Sequence, residues 1–385
     1  MEVESASRVV DGAVVLIDSV EGVEAQTKGV WRQLDRYAVP TRMLFLNKLD
    51  RPGASMRNSV LSVLHHQLHH RPVILTLPIA SFNPDDYRRA EPGIQGLVDL
   101  VNWEVWRWNA KGSSARQPLP RNLDELRASA IFQREHPIPE EIITARTALI
   151  DALSEDSEEL MDEVLSSSSP SSYLEIPASS ILRTLRSLVG QKSILPVVCG
   201  SAFKHVGTSL LLNLVGELLA SPADTTRDVE AIPAVKKGHE RPKGDVLRAL
   251  AWKVGLDPKK GWMTFVRVYS GTLNSHDALW NVNQTQKERV SKLQLLYANE
   301  PQDIATLHTG GVGVILGLKH TRTGDTLIGG SPSENSSLHV LRDIQPPPAV
   351  ISTSVIPQSF ADLRPVQEAL TSLQRTDPSV RGRVG

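Results

Sequence analysis

Two short apolar, β-rich runs, Gly12 to Val20 and Arg42 to Leu46, flank a segment in which Val30, Leu34 and Tyr37 share one helical face. A strand, an amphipathic helix and a second strand at this spacing leave few options. Parallel strands need a crossover of about a dozen residues or more, and that crossover is usually a helix. Pro72 to Ala80 and Ile194 to Val198 read as further buried strands, with helices over about 54–68 and 206–220. The alternation predicts an α/β fold, a mostly parallel sheet with helices on both faces.

At 385 residues the chain exceeds one ordinary domain. An inserted subdomain is expected over about 84–175, carrying Trp103, Trp106, Trp108, a helix over about 138–164 and a serine-rich loop from Ser166 to Ser172. The first domain is expected over 1–222, followed by a linker over 223–245. From 246 to 330 short strands separated by Gly, Asn and Asp turns predict an all-β barrel. A second linker over 331–348 contains Pro346-Pro347-Pro348. Residues 349–385 then offer one strand, Val350 to Ile356, and one helix, about Pro365 to Gln374. One strand and one helix do not complete a domain, so the chain is expected to stop early.

Composition excludes several classes. Apolar residues at 40% and charged residues at 22% fit a globular protein. A net charge of -1 leaves no strongly basic character at whole-chain level, so any RNA contact must be local. Cys199, the single cysteine, cannot form an internal disulfide and reads as a small core residue. No run approaches the roughly 18 apolar residues of a membrane span, so no membrane insertion is expected. The start, Met1-Glu2-Val3-Glu4-Ser5, is acidic and unlike a sorting signal, which leaves a cytoplasmic location or a missing N-terminus.

The sharpest motif is Asn47-Lys48-Leu49-Asp50, at the C-terminal end of an apolar strand, where open α/β sheets bind ligands. Guanine presents N1–H and N2–H side by side, and a fixed carboxylate such as Asp50 can accept both. Adenine would leave that carboxylate unpaired. Asn47 can bridge the base edge and neighbouring loops. The Lys48 stem can lie along the purine face with its ammonium in solvent. By itself the tetrapeptide is equally a turn after a strand. Cys199-Gly200-Ser201-Ala202 follows another buried strand and places a small-residue loop at the same sheet edge, where the Ala202 N–H could donate to the guanine carbonyl.

These motifs, with Val9-Val10-Asp11-Gly12-Ala13-Val14, Val30-Trp31-Arg32-Gln33, Gly200-Ser201-Ala202-Phe203-Lys204, Val268-Tyr269-Ser270-Gly271, Thr323-Gly324-Asp325-Thr326 and Asp377-Pro378-Ser379, resemble the elongation factor G family of translational GTPases. The resemblance runs from about residue 2 to residue 380. Gly22-Val23-Glu24-Ala25-Gln26-Thr27, Leu318-Lys319-His320-Thr321 and Leu373-Gln374-Arg375 resemble its mitochondrial ribosome-recycling branch.

The resemblance implies part of a P-loop-type GTPase domain, a translation-factor barrel and the start of a ferredoxin-like domain. It implies GTP as ligand, with guanine held by Asn47, Lys48, Asp50, Ser201, Ala202 and Phe203. The implied partners are the mitochondrial ribosome, its RNA and proteins, and a ribosome recycling factor, in the mitochondrial matrix. Three roles stay open: ribosome disassembly after termination, translocation, or non-catalytic ribosome binding.

The family grips phosphates and Mg2+ with GxxxxGK[ST], a switch threonine and a DxPGH segment, and none of these strings occurs here. Asp50-Arg51-Pro52-Gly53, which matches DxxG, reads as a turn. The resemblance therefore implies no catalytic residue and no metal ligand within these residues, and an open edge beside Gly12 to Val20. Base reading alone is expected to give about millimolar binding or weaker, because association costs roughly 4–15 kcal/mol of lost freedom.

Other clusters have bland and sharp readings. His65, His66, His69 and His70 make i, i+4 pairs suited to zinc or to a helix C-terminus. The three tryptophans could stack on bases or pack the insertion. Lys259, Lys260, Lys287, Arg289 and Lys292 could touch phosphates or remain solvated.

Overall fold

The structure is a computed structural model. It describes residues 2–80, 94–108, 114–132, 136–166, 172–224, 246–298, 300–330, 340–341, 344, 351–357 and 359–382. Asp11–Ala220 forms one compact unit, and Met1–Val10 with Ser221–Gly385 forms another. Helix α1 (Glu2–Val9) belongs to the latter.

The Asp11–Ala220 unit runs β1 (Gly12–Asp18), α2 (Ala25–Arg36), β2 (Thr41–Asn47), α3 (Met56–His65), β3 (Pro72–Ile74) and β4 (Thr76–Ala80). There follow β5 (Ile94–Asp99), β6 (Glu104–Trp108), β7 (Ser114–Pro118), α4 (Leu123–Ala128), α5 (Ile138–Ser154), α6 (Glu158–Ser166) and α7 (Ser172–Glu175). The unit closes with α8 (Ala178–Gly190), β8 (Leu195–Cys199) and α9 (Thr208–Leu218).

A parallel sheet has the order β1-β2-β8-β3. Met43 to Leu46 of β2 and Leu195 to Cys199 of β8 are buried on both sides, which is why they read as unbroken apolar runs. β1 is an edge strand, and its Leu16 is exposed. Trp31 and Leu34 are the buried residues of α2. α3 starts at Ser55, whose hydroxyl accepts from the Asn58 N–H and satisfies one orphan donor of the first turn.

The run Pro72 to Ala80 is not one strand. At Leu75 it passes from the parallel sheet into an antiparallel sheet of order β4-β5-β6-β7. The Leu75 N–H donates to Val197 O, and the Leu75 carbonyl accepts from Leu100 N–H, so each half of the run has its own partner strand. The helix expected over about 138–164 is two, α5 and α6, broken at 155–157. Trp103 and Trp106 are buried, and the Trp103 indole N–H donates to Pro120 O at 2.9 Å, so these two rings pack the insertion and offer no open stacking face. Most of the serine tract, 167–171, lies outside the described residues.

Arg146, on α5, is the largest polar group in that core and is 1% exposed. Its guanidinium donates to the carbonyls of Leu100, Val101, Tyr173 and Ile176 and stacks 5.8 Å from the Trp103 ring. One side chain thus closes the end of β5 and the α7 turn together. Burial lowers its pKa to about 10, against the attraction of Asp99, so it stays charged at neutral pH.

Helices α2, α3 and α8 end alike. Ala38, Gln67 and Lys192 sit at φ 52°, 53° and 60°, each followed by a residue whose N–H returns to the carbonyl five positions back: Val39 to Leu34, Leu68 to Val63, Ser193 to Leu188. This is the left-handed cap that normally selects Gly. A β-carbon there costs roughly 1–2 kcal/mol, partly offset by the extra unfolded-state freedom of Gly, about 0.5–1 kcal/mol. Ala38→Gly is therefore expected to stabilise the unit by about 0.5 kcal/mol, read as slower amide hydrogen exchange within Asp11–Ala220. Faster exchange there would show that the cap strain is already relieved.

The second unit contains β9 (Arg248–Asp257), β10 (Gly261–Ser270), β11 (Thr272–Asn274), β12 (Ala278–Asn281), β13 (Gln286–Arg289) and β14 (Lys292–Tyr297). It continues with β15 (Glu300–Asp303), β16 (Thr306–His308), β17 (Val312–Leu316), β18 (Thr326–Gly329) and α10 (Leu363–Thr376). Eight strands pair antiparallel in the order β13-β12-β18-β9-β10-β17-β14-β15, and β11 pairs with β16. Alternate residues Ala249, Ala251, Val266, Val268 and Leu327 fill the core.

Arginines hold α1 and α10 in this unit. Arg8 of α1 donates to the Tyr269 hydroxyl at 3.0 Å, and Val9 packs with Leu250 and Leu341. Arg375 of α10 donates to Thr321 O at 2.8 Å and Leu318 O at 2.7 Å, and lies 4.0 Å from the Trp262 ring centroid. Of the strand expected from Val350 to Ile356, Val350 lies outside the described residues and 351–356 has no regular structure, with Ile351, Val355 and Ile356 exposed. Among the described residues no strand lies beside it to pair with. The linkers expected over 223–245 and 331–348 fall mostly outside the described residues.

Candidate functional site

β2 and β8 are neighbouring parallel strands, so the segments that follow them emerge together at the C-terminal edge of the sheet. Backbone bonds stitch the two exits: Gly200 N–H to Leu46 O at 2.9 Å and Leu49 N–H to Gly200 O at 3.2 Å. A β-carbon on Gly200 would collide with the Val206 carbonyl and approach the Phe45 ring to 3.1 Å, so only Gly lets the loops close.

Beyond Gly200 the chain makes a miniature hairpin. Ser201 N–H donates to Val206 O at 3.0 Å, Val206 N–H to Ser201 O at 2.9 Å, and His205 N–H to Ala202 O at 3.2 Å. The tip presents Phe203, 93% exposed, and Lys204. Gly207, at φ 80°, turns the chain into α9.

Asn47, Lys48, Asp50, Ser201 and Ala202 come together here. The Asn47 Oδ1 accepts from Lys48 N–H and from Ala202 N–H, both at 2.8 Å. The Ala202 donor assigned to the guanine carbonyl is thus engaged by Asn47 in this structure, and the two residues act as one bridge between the loops. Lys48 sits at φ 66°. Its side chain is 37% exposed, and its ammonium is paired with Asp18 Oδ2 as well as reaching toward solvent, a partner the sequence did not suggest. That carboxylate, at the end of β1 and in register with Asn47, fixes the lysine stem across the sheet edge.

Asp18 also accepts from Val20 N–H at 3.0 Å. Burial pushes its pKa up, but the Lys48 and Val20 bonds and the charges of Lys48 and Arg51 outweigh this and hold it below the ordinary value. Sequence reasoning passed over Asp18; its signal is its place as the last residue of the strand paired with β2. If Asp18 holds the Lys48 stem along the face that any purine presents, Asp18→Asn is expected to weaken guanosine and adenosine binding alike, by about two- to fivefold, the range of an exposed ion pair, in a ligand-observed NMR titration. Unchanged binding of both nucleosides would show that the ion pair does not position the stem.

Asp50 is the acceptor of the site, its carboxylate only 16% exposed. Burial raises its pKa, while the Ser201 hydroxyl and Lys204 lower it by more, and the net position is below the ordinary carboxylate value. It is therefore an anion at neutral pH, able to accept from two adjacent N–H groups and unable to donate. The arrangement suits a flat heterocycle with two neighbouring donors on one edge.

The other candidate residues lie elsewhere. His65 ends α3 and His66 caps it, whereas His69 and His70 lie beyond the helix, so the helical zinc spacing does not exist. His69 Nε2 faces Lys192 O at 3.1 Å and its Nδ1 accepts from Arg71 N–H at 3.0 Å. Among the described residues no group of three or more His, Cys, Asp or Glu is placed to hold a metal. Cys199 is buried against the Thr76 hydroxyl. In the β unit, Lys292 pairs with Asp303 at 2.7 Å, the backbone N–H groups of Lys259 and Lys260 donate to Asp257, and Lys287 and Arg289 are exposed on β13.

Residues 1–221 match the family model of the elongation factor Tu GTP binding domain, and residues 247–330 match that of elongation factor G domain 2. The mitochondrial ribosome-releasing factor 2 of Yarrowia lipolytica is 34% identical over 401 residues, covering 98% of this chain and 47% of the relative. That of Aspergillus flavus is 33% identical over 422 residues, covering 98% and 44%. A crystal structure from Thermus thermophilus superposes with a TM-score of 0.72 at 21% identity, covering 98% of this chain and 49% of that one. The chain spans about half the length of the curated relatives it matches.

Proposed function

Because the chain belongs to the elongation factor family of translational GTPases, with the GTP-binding domain followed by elongation factor G domain 2, we propose that it carries the guanine-reading part of a GTPase that disassembles mitochondrial ribosomes after termination. The observation that carries the reading is the ionised Asp50 on a sheet edge shared by the Asn47–Asp50 and Ser201–Ala202 loops. Guanine N1–H and N2–H donate to Asp50, the Asn47–Ala202 bridge faces the carbonyl edge, and the Lys48 stem and the Phe203 ring flank the purine. The site residues are thus Asn47, Lys48, Asp50, Ser201, Ala202 and Phe203.

GTP is the nucleotide whose base fits this edge. A Mg2+ ion accompanies GTP in such enzymes; the residues brought together at this sheet edge are assigned base recognition. Both curated relatives named above carry a ribosome-releasing name, which supports disassembly over translocation. The same names support a mitochondrial location and a ribosomal partner, and the reading places the chain in the matrix on that basis. Lys287 and Arg289 offer exposed cations for RNA phosphate.

The test has two arms. Guanosine is expected to bind the chain in preference to adenosine, seen by ligand-observed NMR; equal binding would sink the guanine reading. Cosedimentation with mitochondrial ribosomal subunits is expected to weaken as salt rises and when Lys287 and Arg289 are both changed to Ala. Salt-independent or absent cosedimentation would remove the ribosomal part.

A further inference from the structure

The tip of the Ser201–Val206 hairpin places a cation where the base has to bind. Lys204 Nζ lies 3.3 Å from Asp50 Oδ2. Its backbone N–H reaches the Ser201 hydroxyl at 3.4 Å, and that hydroxyl is bonded to the Asp50 carboxylate. Loop and acceptor are therefore joined twice, through Ser201 and through the lysine side chain. The two contacts differ in kind: Ser201 is 1% exposed and fixed, whereas the Lys204 side chain is 58% exposed and able to swing out.

We propose that Lys204 is an intramolecular competitor for guanine, occupying the base-reading carboxylate of Asp50 while the site is empty and leaving it when guanine arrives. This rests on the guanine reading above and adds a regulatory residue to that site. Each carboxylate oxygen can accept more than one hydrogen bond, so the competition is for the approach to Oδ2, where the lysine ammonium stands 3.3 Å away and an arriving guanine N–H has to displace it or share the oxygen with it. Adenine donates nothing to Asp50 there, so its binding does not require the exchange. Lys204 therefore lowers affinity for guanine selectively. By neutralising Asp50 in the empty site it also softens the repulsion that adenine meets.

The strength of the competitor is bounded. An exposed lysine–carboxylate pair contributes roughly 0.2–1 kcal/mol, which converts to about a 1.4- to 5-fold effect on a competing equilibrium. It is also screened by salt, with a Debye length of about 10 Å at 0.1 M and about 3 Å at 1 M.

The experiment measures guanosine and adenosine binding to the 385-residue chain by ligand-observed NMR for the wild type, Lys204→Ala, Lys204→Met and Asp50→Asn. Nucleosides are used so that the lysine cannot act through a phosphate. Removing Lys204 by either route is expected to tighten guanosine binding about two- to fivefold at low salt, with a smaller gain at high salt and no gain for adenosine. Guanosine binding that is unchanged or weaker in both Lys204 variants, while Asp50→Asn loses the guanosine preference, would overturn the competitor and leave the guanine reading standing. Retention of that preference by Asp50→Asn would instead overturn the reading itself. Thermal melts of each variant confirm that a folded chain was compared.

Discussion

Arg146→Ala is expected to destabilise the insertion by about 3–5 kcal/mol, the range for removing one partner from a buried charged network. The change leaves four carbonyls, of Leu100, Val101, Tyr173 and Ile176, without their donor and also deprives the buried Asp99 of a neighbouring cation. Burial already pushes the Asp99 carboxyl up, so loss of the arginine moves it further toward the neutral form. Arg146→Met restores most of the volume but none of the donors, and it is expected to cost nearly as much. The chain has two units, so a single unfolding curve would mix them. Amide hydrogen exchange resolves them: protection should fall for Val101 to Trp103 and for 174–176 while β9 and β10 keep theirs. Unchanged protection in the insertion would mean that water replaces the guanidinium without penalty.

Asp50→Asn is the second large effect. Hydrogen bonds to a charged group contribute about 1.5–3 kcal/mol each, and the amide keeps one acceptor while turning two donors toward a guanine edge that also donates. Guanosine binding is expected to drop by about tenfold or more. Xanthosine, which has a carbonyl where guanosine has its 2-amino group, is expected to gain, because the new amide can donate to it. A parallel loss of both nucleosides would point to damage to the loop and away from base reading. The depressed pKa of Asp50 sets the pH behaviour of the wild type. Its ionised form stabilises the folded loops above the unfolded-state pKa, and that contribution is lost as pH falls through the lower folded-state value. Guanosine preference should accordingly be flat around neutrality and decline only in acid.

The paired loops were legible because their causes are local. β2 and β8 are covered on both faces, which forces continuous apolar runs, and the residues after them are small or polar because two chain exits share one edge. What stayed hidden depends on distant partners. α1 carries little apolar signal of its own, and Tyr269, 261 residues away, is what holds its Arg8. The division of Pro72 to Ala80 at Leu75 is set by which strands stand beside each half, Leu195–Cys199 or Ile94–Asp99. Asp18 gains its meaning only from Lys48, 30 residues on, which the parallel pairing of β1 with β2 brings to it. Arg146 reads as one exposed position of a long helix, and only the assembled insertion shows four carbonyls converging on it. The segment 351–357 shows the converse, since a β-rich run forms no strand where, among the described residues, no strand stands beside it.

The contact between Arg375 and Trp262 gives the β unit an optical reporter of its own. A guanidinium 4.0 Å from the indole centroid polarises that ring while α10 is seated, and seating also depends on the carbonyls of Leu318 and Thr321. Any ligand or surface that lifts the helix removes the cation, so the emission of this one tryptophan among seven should change at the same moment. Replacing Trp262 with Phe would delete that component from the spectrum and identify it, making the departure of α10 visible in a cuvette without any added label.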